Sequence, residues 1–440
     1  MASVRRRVGA DRSAFGAGGA GTEAASGSGV TAPRIVAPGA TYAVTRRCVC
    51  RKAFLGWWHP EVDDVFFWCL AVVAEKCGVR IHHAVRVGSH YHMTFTLTGE
   101  NLGEFLQRLH HQMSRMLNAL LEREGYDPPR ELFDARGTHV MRLMDAEAQL
   151  AHIVYERVNP PAAGLAETCD GVPGQTLDLG RWKGAGMQLT RPRVAKSGGD
   201  SQVMQVTPPA LLYRAFAGDV DRLVHHAGKM EREAERAIRA ARKGPPRTAD
   251  EVRAIHPWDE PLTLRESGGR VPSFKTGLVG LEGKEARIRG AKEVRGFREA
   301  HAAANERWCG GDRGVEYPYG TYEMRRFHGA EVADPAPDAW VSAPGPTLEE
   351  VQAELERGEV EAEEDLVDRV REAVVQGAEA MVAEEGDAEE GEDAEADQRP
   401  APERHHRFTQ LPTRQSDEQP RRLIRLRDDR RRRGSDPPED

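Results

Sequence analysis

Long apolar runs are missing from this chain. No stretch of about 18 consecutive apolar residues occurs, and a bilayer-spanning helix needs one, so a membrane span is not expected. An apolar segment is also missing after the basic cluster Arg5, Arg6 and Arg7. A secretory signal is therefore not expected, and a cytoplasmic location is. Cysteine is scarce: Cys48, Cys50, Cys69, Cys77, Cys169 and Cys309 form no C-x-x-C pair. That spacing argues against a zinc ribbon or a disulfide framework and for scattered reduced thiols. Hydrophobic residues make up 39% of the 440, and the mean hydropathy is -0.61. The length allows two domains plus tails, but the folded part is expected to be shorter than the whole.

Charge is spread unevenly. The formal net charge is -8, yet residues 348–398 hold 21 acids against 3 arginines, and residues 399–440 hold 12 arginines against 8 acids. Residues 1–347 are therefore mildly basic, which suits a phosphate-bearing partner. Residues 1–40, rich in Gly, Ala and Ser and without periodicity, are expected to be disordered. A first folded block, 41–179, opens with a strand from Thr41 to Arg47. A helix from Glu61 to Cys77 follows, then one bent strand or two short ones between Val79 and Leu97. An amphipathic helix covers Asn101 to Glu124, a strand Thr138 to Met144, and a helix Ala146 to Val158, ending at Pro160. This alternation predicts an α+β sandwich with helices over a sheet. A second block, 180–332, carries charged helices at Val220 to Arg242 and Lys292 to Trp308. Residues 333–440 are predicted to be a disordered tail, acidic and then arginine-rich, with Leu348 to Met381 as a solvated helix at most.

Chemistry concentrates in two short segments. His90-Tyr91-His92 lies in the apolar stretch Val85 to Leu97. In a strand, residues i and i+2 share a face, so both imidazoles would converge on one ion while Tyr91 points away. Imidazole is a common metal ligand, but a hard cation also wants oxygen. The segment His152 to Pro160 supplies that type of donor. On its helix Tyr155 and Asn159 are i and i+4 and share a face. The set suits a metal-assisted nucleophile: a tyrosine hydroxyl is weakly acidic, and a metal that polarises the attacked phosphate lessens that handicap. Arg46, Arg47 and Arg51 are candidates for phosphate or base contacts. The plain alternative makes His90, His92 and Tyr155 packing residues and the arginines a solvated edge. His82, His83, His110 and His111 are read as surface or packing residues.

These residues resemble a known family. Val79-Arg80-Ile81-His82 and Gly88-Ser89-His90-Tyr91-His92 are similar to the histidine–hydrophobe–histidine (HUH) strand of single-tyrosine transposases. Tyr155-x-x-x-Asn159-Pro160, followed by Ala163-Gly164-Leu165, resembles the tyrosine helix of the REP-associated tyrosine transposases, as does the opening Thr45-Arg46-Arg47-Cys48. Phe297 to Ala300, Gly311 to Arg313 and Tyr317 to Tyr322 resemble the C-terminal extension of bacterial members. Ser89 stands where this branch usually has Asn, and Pro161 where it usually has Val. The resemblance covers about residues 41–332 and implies a ferredoxin-like α+β HUH domain with a central antiparallel sheet over 41–179, then a partly helical extension. It implies a transposase that is a Mg²⁺- or Mn²⁺-dependent strand transferase acting on single-stranded DNA with hairpin-containing repeat ends, as a monomer or homodimer near the nucleoid. His90, His92 and Asn159 would hold the metal, and Tyr155 would attack the scissile phosphate. Two other readings stand beside it: an HUH endonuclease for replication or mobilisation, and a non-catalytic or domesticated DNA-binding protein.

Overall fold

The computed structural model describes residues 33–135, 137–184, 186–259 and 272–386. In chain order the main elements are β1 (Thr41–Arg47), α1 (Glu61–Cys77), β2 (Val79–Arg86), β3 (His90–Leu97), α2 (Leu102–Arg123), β4 (His139–Leu143) and α3 (Ala146–Ala162). There follow β5 (Met187–Thr190), β6 (Ser201–Met204), α4 (Ala210–Ala215), α5 (Val220–Ala241), α6 (Ala249–Arg253), β7 (Phe274–Lys275), α7 (Gly280–Cys309), β8 (Glu316–Tyr317), α8 (Tyr322–His328), β9 (Glu331–Val332), α9 (Leu348–Glu356) and α10 (Leu366–Gly386).

Local chemistry sets the ends of these elements. Glu61, Asp63 and Asp64 sit in the first turn of α1, where the helix dipole favours carboxylates. Gly78 closes α1 in the left-handed conformation, φ 63°, which L side chains avoid. Asp145 caps α3 by accepting the Ala148 N–H at 2.8 Å. The helix does not end at Pro160, as the sequence suggested, but runs through Pro160 and Pro161 to Ala162. The prolines remove only the two N–H groups that would meet the Glu156 and Arg157 carbonyls. Beyond them the Ala163 and Leu165 N–H groups still bond back to the Asn159 and Pro160 carbonyls. Proline's fixed φ is itself helical, so one more turn forms.

Among the described residues the main sheet has the order β2-β3-β1-β4-β7. β2/β3, β3/β1 and β1/β4 are antiparallel, while β7 adds to β4 in parallel. The central sheet is thus mixed, a correction to the wholly antiparallel sheet expected. The fifth strand comes from residues 274–275, well past the expected 41–179 block, and covers an edge that β4 would otherwise leave unpaired.

Strand alternation gives the sheet two unlike faces. Tyr42, Val44, Ile81, Ala84, Tyr91, Met93, Phe95 and Leu97 are buried on one, under α1 and α2. The amphipathic stripe of α2 (Leu102, Phe105, Leu109, Met113, Met116, Leu120) packs there. The opposite face is polar at one end, and α3 lies across it. Next to α3 lie α5 and α10.

α10 is the largest departure from the sequence reading. Leu366, Val370, Val374, Ala378 and Val382 recur every fourth residue and are all buried in the main core. Arg371 pairs with Glu233 of α5, and Arg369 with Glu147 of α3. Residues 333–386 are therefore not a tail, and the helix there is not solvated. At the other end Val36, Ala37 and Ala40 are buried and the Ala37 N–H donates to the Tyr42 hydroxyl at 2.9 Å. Of the disorder expected over 1–40, only 33–40 fall within the described residues, and these are packed. Residues 1–32 and the arginine-rich 399–440 lie outside them. The helix expected from Lys292 begins earlier, at Gly280. No helix among the described residues is long and apolar enough to cross a membrane.

Candidate functional site

The polar end of the α3-covered face gathers most of the residues singled out in the sequence. His90, His92 and Thr94 alternate along β3. Arg47 and Thr45 of β1 stand directly opposite His90 and His92. The two imidazole rings lie 4.9 Å apart, centre to centre. Each has its Nδ1 occupied by a neighbouring hydroxyl: Ser89 Oγ at 3.2 Å from His90, Thr45 Oγ1 at 2.9 Å from His92. That leaves both Nε2 atoms to act elsewhere. His92 Nε2 meets the Asn159 side-chain amide at 3.3 Å, and the Tyr155 ring stands edge-on to His92 at 5.8 Å. His90, His92, Tyr155 and Asn159 therefore come together, each pair on the shared face that its strand or helix periodicity predicts. Tyr91 faces the other way, buried, with its hydroxyl 2.7 Å from His110 Nε2.

The three arginines divide. Arg47 shares the histidine face, and its charge helps to hold down the basicity of His90 and His92. Arg51 sits in a short 3-10 turn, Val49–Arg51, and its charge also bears on His90. Arg46, one residue out of phase with Arg47, projects through the opposite face and stacks over Phe133 at 5.3 Å. It is not part of the cluster.

A layer that the sequence reading missed lies beneath. Glu156, next to Tyr155, is wholly buried. Its carboxyl meets His83 Nδ1 at 2.9 Å and accepts from Thr94 Oγ1 at 2.9 Å. His152 Nε2 lies 3.5 Å from the same carboxyl, and its ring stacks on Tyr155 at 5.4 Å. Burial is the leading cause of every shift in this group. It pushes the Glu156 carboxyl well above the usual range and His83, His92 and His152 well below theirs. His90 falls to about 4, through burial first and then through Arg47 and Arg51. The imidazoles are neutral near physiological pH, the form a metal requires. Glu156 and His83 are hydrogen-bonded to each other within this buried layer. The missed residues did carry signals: Thr45 and Thr94 are each two positions from a member of the set, and His152 and Glu156 are i and i+4 on the same helix.

The donor set fits a divalent ion in part. Two neutral imidazoles with hydroxyl-anchored Nδ1 atoms, and with Nε2 of His92 turned to the Asn159 side chain, are the arrangement that outer hydrogen bonds give to metal-bound histidines. The Asn159 side chain is the third donor. Among the described residues no group of three or more His, Cys, Asp or Glu could hold a metal. The remaining positions would fall to water and to oxygens of a bound molecule, as suits a hard cation.

No family model and no curated protein matches the chain. Among solved structures, the chain is similar to a REP-associated tyrosine transposase bound to a REP hairpin. The two share 14% identity with a TM-score of 0.29, over 40% of this chain and 96% of that one. At that level the functional reading rests on the side chains described above.

Proposed function

We propose that this chain is a divalent-metal-dependent DNA strand transferase of the single-tyrosine HUH type, built on a ferredoxin-like β-α-β-β-α-β unit. The strand order β2-β3-β1-β4, antiparallel throughout, supports the fold. The observation that carries the function is the convergence of His90, His92 and Asn159 beside Tyr155 on one polar sheet face.

In this reading His90 Nε2, His92 Nε2 and the Asn159 side chain would hold Mg²⁺ or Mn²⁺. When bound, the ion supplies Lewis-acid polarisation of a phosphate oxygen. Tyr155 Oη attacks the scissile phosphorus of single-stranded DNA. A bond forms between Oη and phosphorus, the bond to the leaving 3′ oxygen breaks, and the phenol proton lost to solvent is balanced by one that the leaving oxygen takes up to become a free 3′-OH. The 5′ end remains on Tyr155 as a phosphodiester, so a second 3′-OH reverses the attack and joins strands without added energy. Thr45 and Ser89 fix the imidazole orientations. Glu156 and His152 form the floor on which the Tyr155 ring rests.

The test is a suicide-cleavage assay on labelled single-stranded hairpin oligonucleotides from the ends flanking the gene, with Mn²⁺ or EDTA. A covalent protein–DNA adduct is expected only with metal, and Tyr155→Phe should abolish it while leaving DNA binding nearly intact. Binding without adduct in the wild-type chain would reduce it to a DNA-binding protein. Equal loss of binding and adduct in Tyr155→Phe would make Tyr155 structural.

A further inference from the structure

We infer that Lys275 binds a phosphate of the single strand beside Tyr155, a substrate contact delivered to the site by the added strand β7; this rests on the strand-transferase reading. β7 pairs in parallel with β4, setting Lys275 opposite Leu143 and Phe274 opposite Arg142. Phe274 packs with Trp340 and against Gly290 of α7, and Arg142 turns toward Tyr42 on the α1/α2 side. By alternation Lys275 projects to the other face, that of α3. There its charge acts on His152, whose ring stacks on Tyr155.

The ammonium is half-buried and has no carboxylate within ion-pair distance among the described residues. Its nearest electrostatic counterpart is Asp145. Both oxygens of Asp145 accept hydrogen bonds, Oδ1 from the Ala148 and Gly277 N–H groups at 2.8 and 2.9 Å, Oδ2 from the Thr276 hydroxyl. Beside it, the nine-tenths-buried His152 Nε2 makes no hydrogen bond. Removing a cation from water without a direct ion pair is costly, and burial lowers the basicity of Lys275, with Asp145 opposing only in part. An anion would complete the site. Most described surface arginines behave otherwise: Arg222, Arg239 and Arg371 are each paired with a glutamate. In the proposed reaction the anion available at this place is a backbone phosphate of the strand that Tyr155 attacks. A point charge there would hold the phosphate and offset the charge that develops during attack.

The experiment uses the full chain carrying Tyr155→Phe, so that binding is read without cleavage. Affinity for a fluorescent single-stranded oligonucleotide is measured across a salt series with and without Lys275→Met. Loss of one phosphate contact should reduce the slope of log K against log salt by about 0.7. In the otherwise wild-type chain, Lys275→Met should slow adduct formation about ten- to a hundredfold, and Lys275→Arg should recover part of that. Because the cation has no ion-pair partner among the described residues, Lys275→Met should also raise Tm, the opposite of what a structural lysine would do. An unchanged salt slope overturns the inference, even where the wild-type chain forms its adduct. A reduced slope in a chain that binds but forms no adduct keeps the phosphate contact and removes the transferase reading. Absence of strand binding overturns both.

Discussion

Arg46 and Arg47 are adjacent and chemically identical, yet the sheet sends them to opposite faces. Arg47 stands across from His90 and has no carboxylate partner among the described residues. Arg46 is half-buried over Phe133, with Nε and Nη1 enclosed and without hydrogen-bond partners. Their replacements should therefore separate. Arg47→Ala is expected to weaken single-strand binding and flatten its salt dependence by about one phosphate's worth. Arg46→Ala is expected to leave the salt slope alone and change thermal stability instead. Salt-dependent binding of the two variants decides it; equal effects on the slope would mean that both arginines reach the strand. The same logic explains why Glu156 could not be found from its own properties. A glutamate next to a tyrosine is unremarkable in a sequence, and its role comes from three partners on two strands and one helix turn.

At the scale of elements, composition misled where periodicity was informative. Residues 348–398 are so acidic that they read as tail, yet α10 keeps an apolar residue at every fourth position and buries that stripe against α5 and α3. Asp368, Glu372 and Glu379 are exposed, while arginines flanking the packed stripe pair across to acids of neighbouring segments. Leu366 is fully buried, so Leu366→Ala should cost about 2–5 kcal/mol. In a solvated tail the same change would cost under about 0.5 kcal/mol. Urea denaturation separates the two, and a midpoint unchanged from wild type would return α10 to the tail. The prolines of α3 make a related point. They interrupt the hydrogen-bond ladder but not the helical path, so that Asn159, one turn beyond Tyr155 and facing His92, lies within the helix rather than at its frayed end.

For the molecule as a whole, the buried histidines predict how stability follows pH. Away from the candidate metal site, burial lowers His82 to about 4 and His110 to about 3. Both stay neutral in the folded chain at pH values where the unfolded chain binds protons. Their contribution is complete above about pH 6.5 and is lost as pH falls toward the folded values, at up to about 1.4 kcal/mol per pH unit for each. Glu156, Asp64 and Glu231 act in the opposite sense, because their raised carboxyl pKa values bind a proton more tightly in the folded chain, but the lowered His139, His226 and His301 act with His82 and His110. Stability should therefore fall between about pH 6.5 and 4.5. Tm measured across that interval checks this, and a flat or rising Tm on acidification would contradict the burial of His82 and His110.

Alternation on β3, the helical spacing of Tyr155 and Asn159, and the stripes of α1 and α2 are local properties of consecutive residues. They determined by themselves that two imidazoles share a face and that a tyrosine and an amide share another. That these two faces meet was decided by α3 lying across the sheet. The Glu156 network, the burial of α10 and the arrival of β7 with Lys275 at the β4 edge were decided the same way. Each joins segments far apart in the chain: His83 to Glu156, Glu147 to Arg369, Leu143 to Lys275. Such pairings leave little local mark, because the pattern of one segment specifies which side it buries but not which partner covers that side.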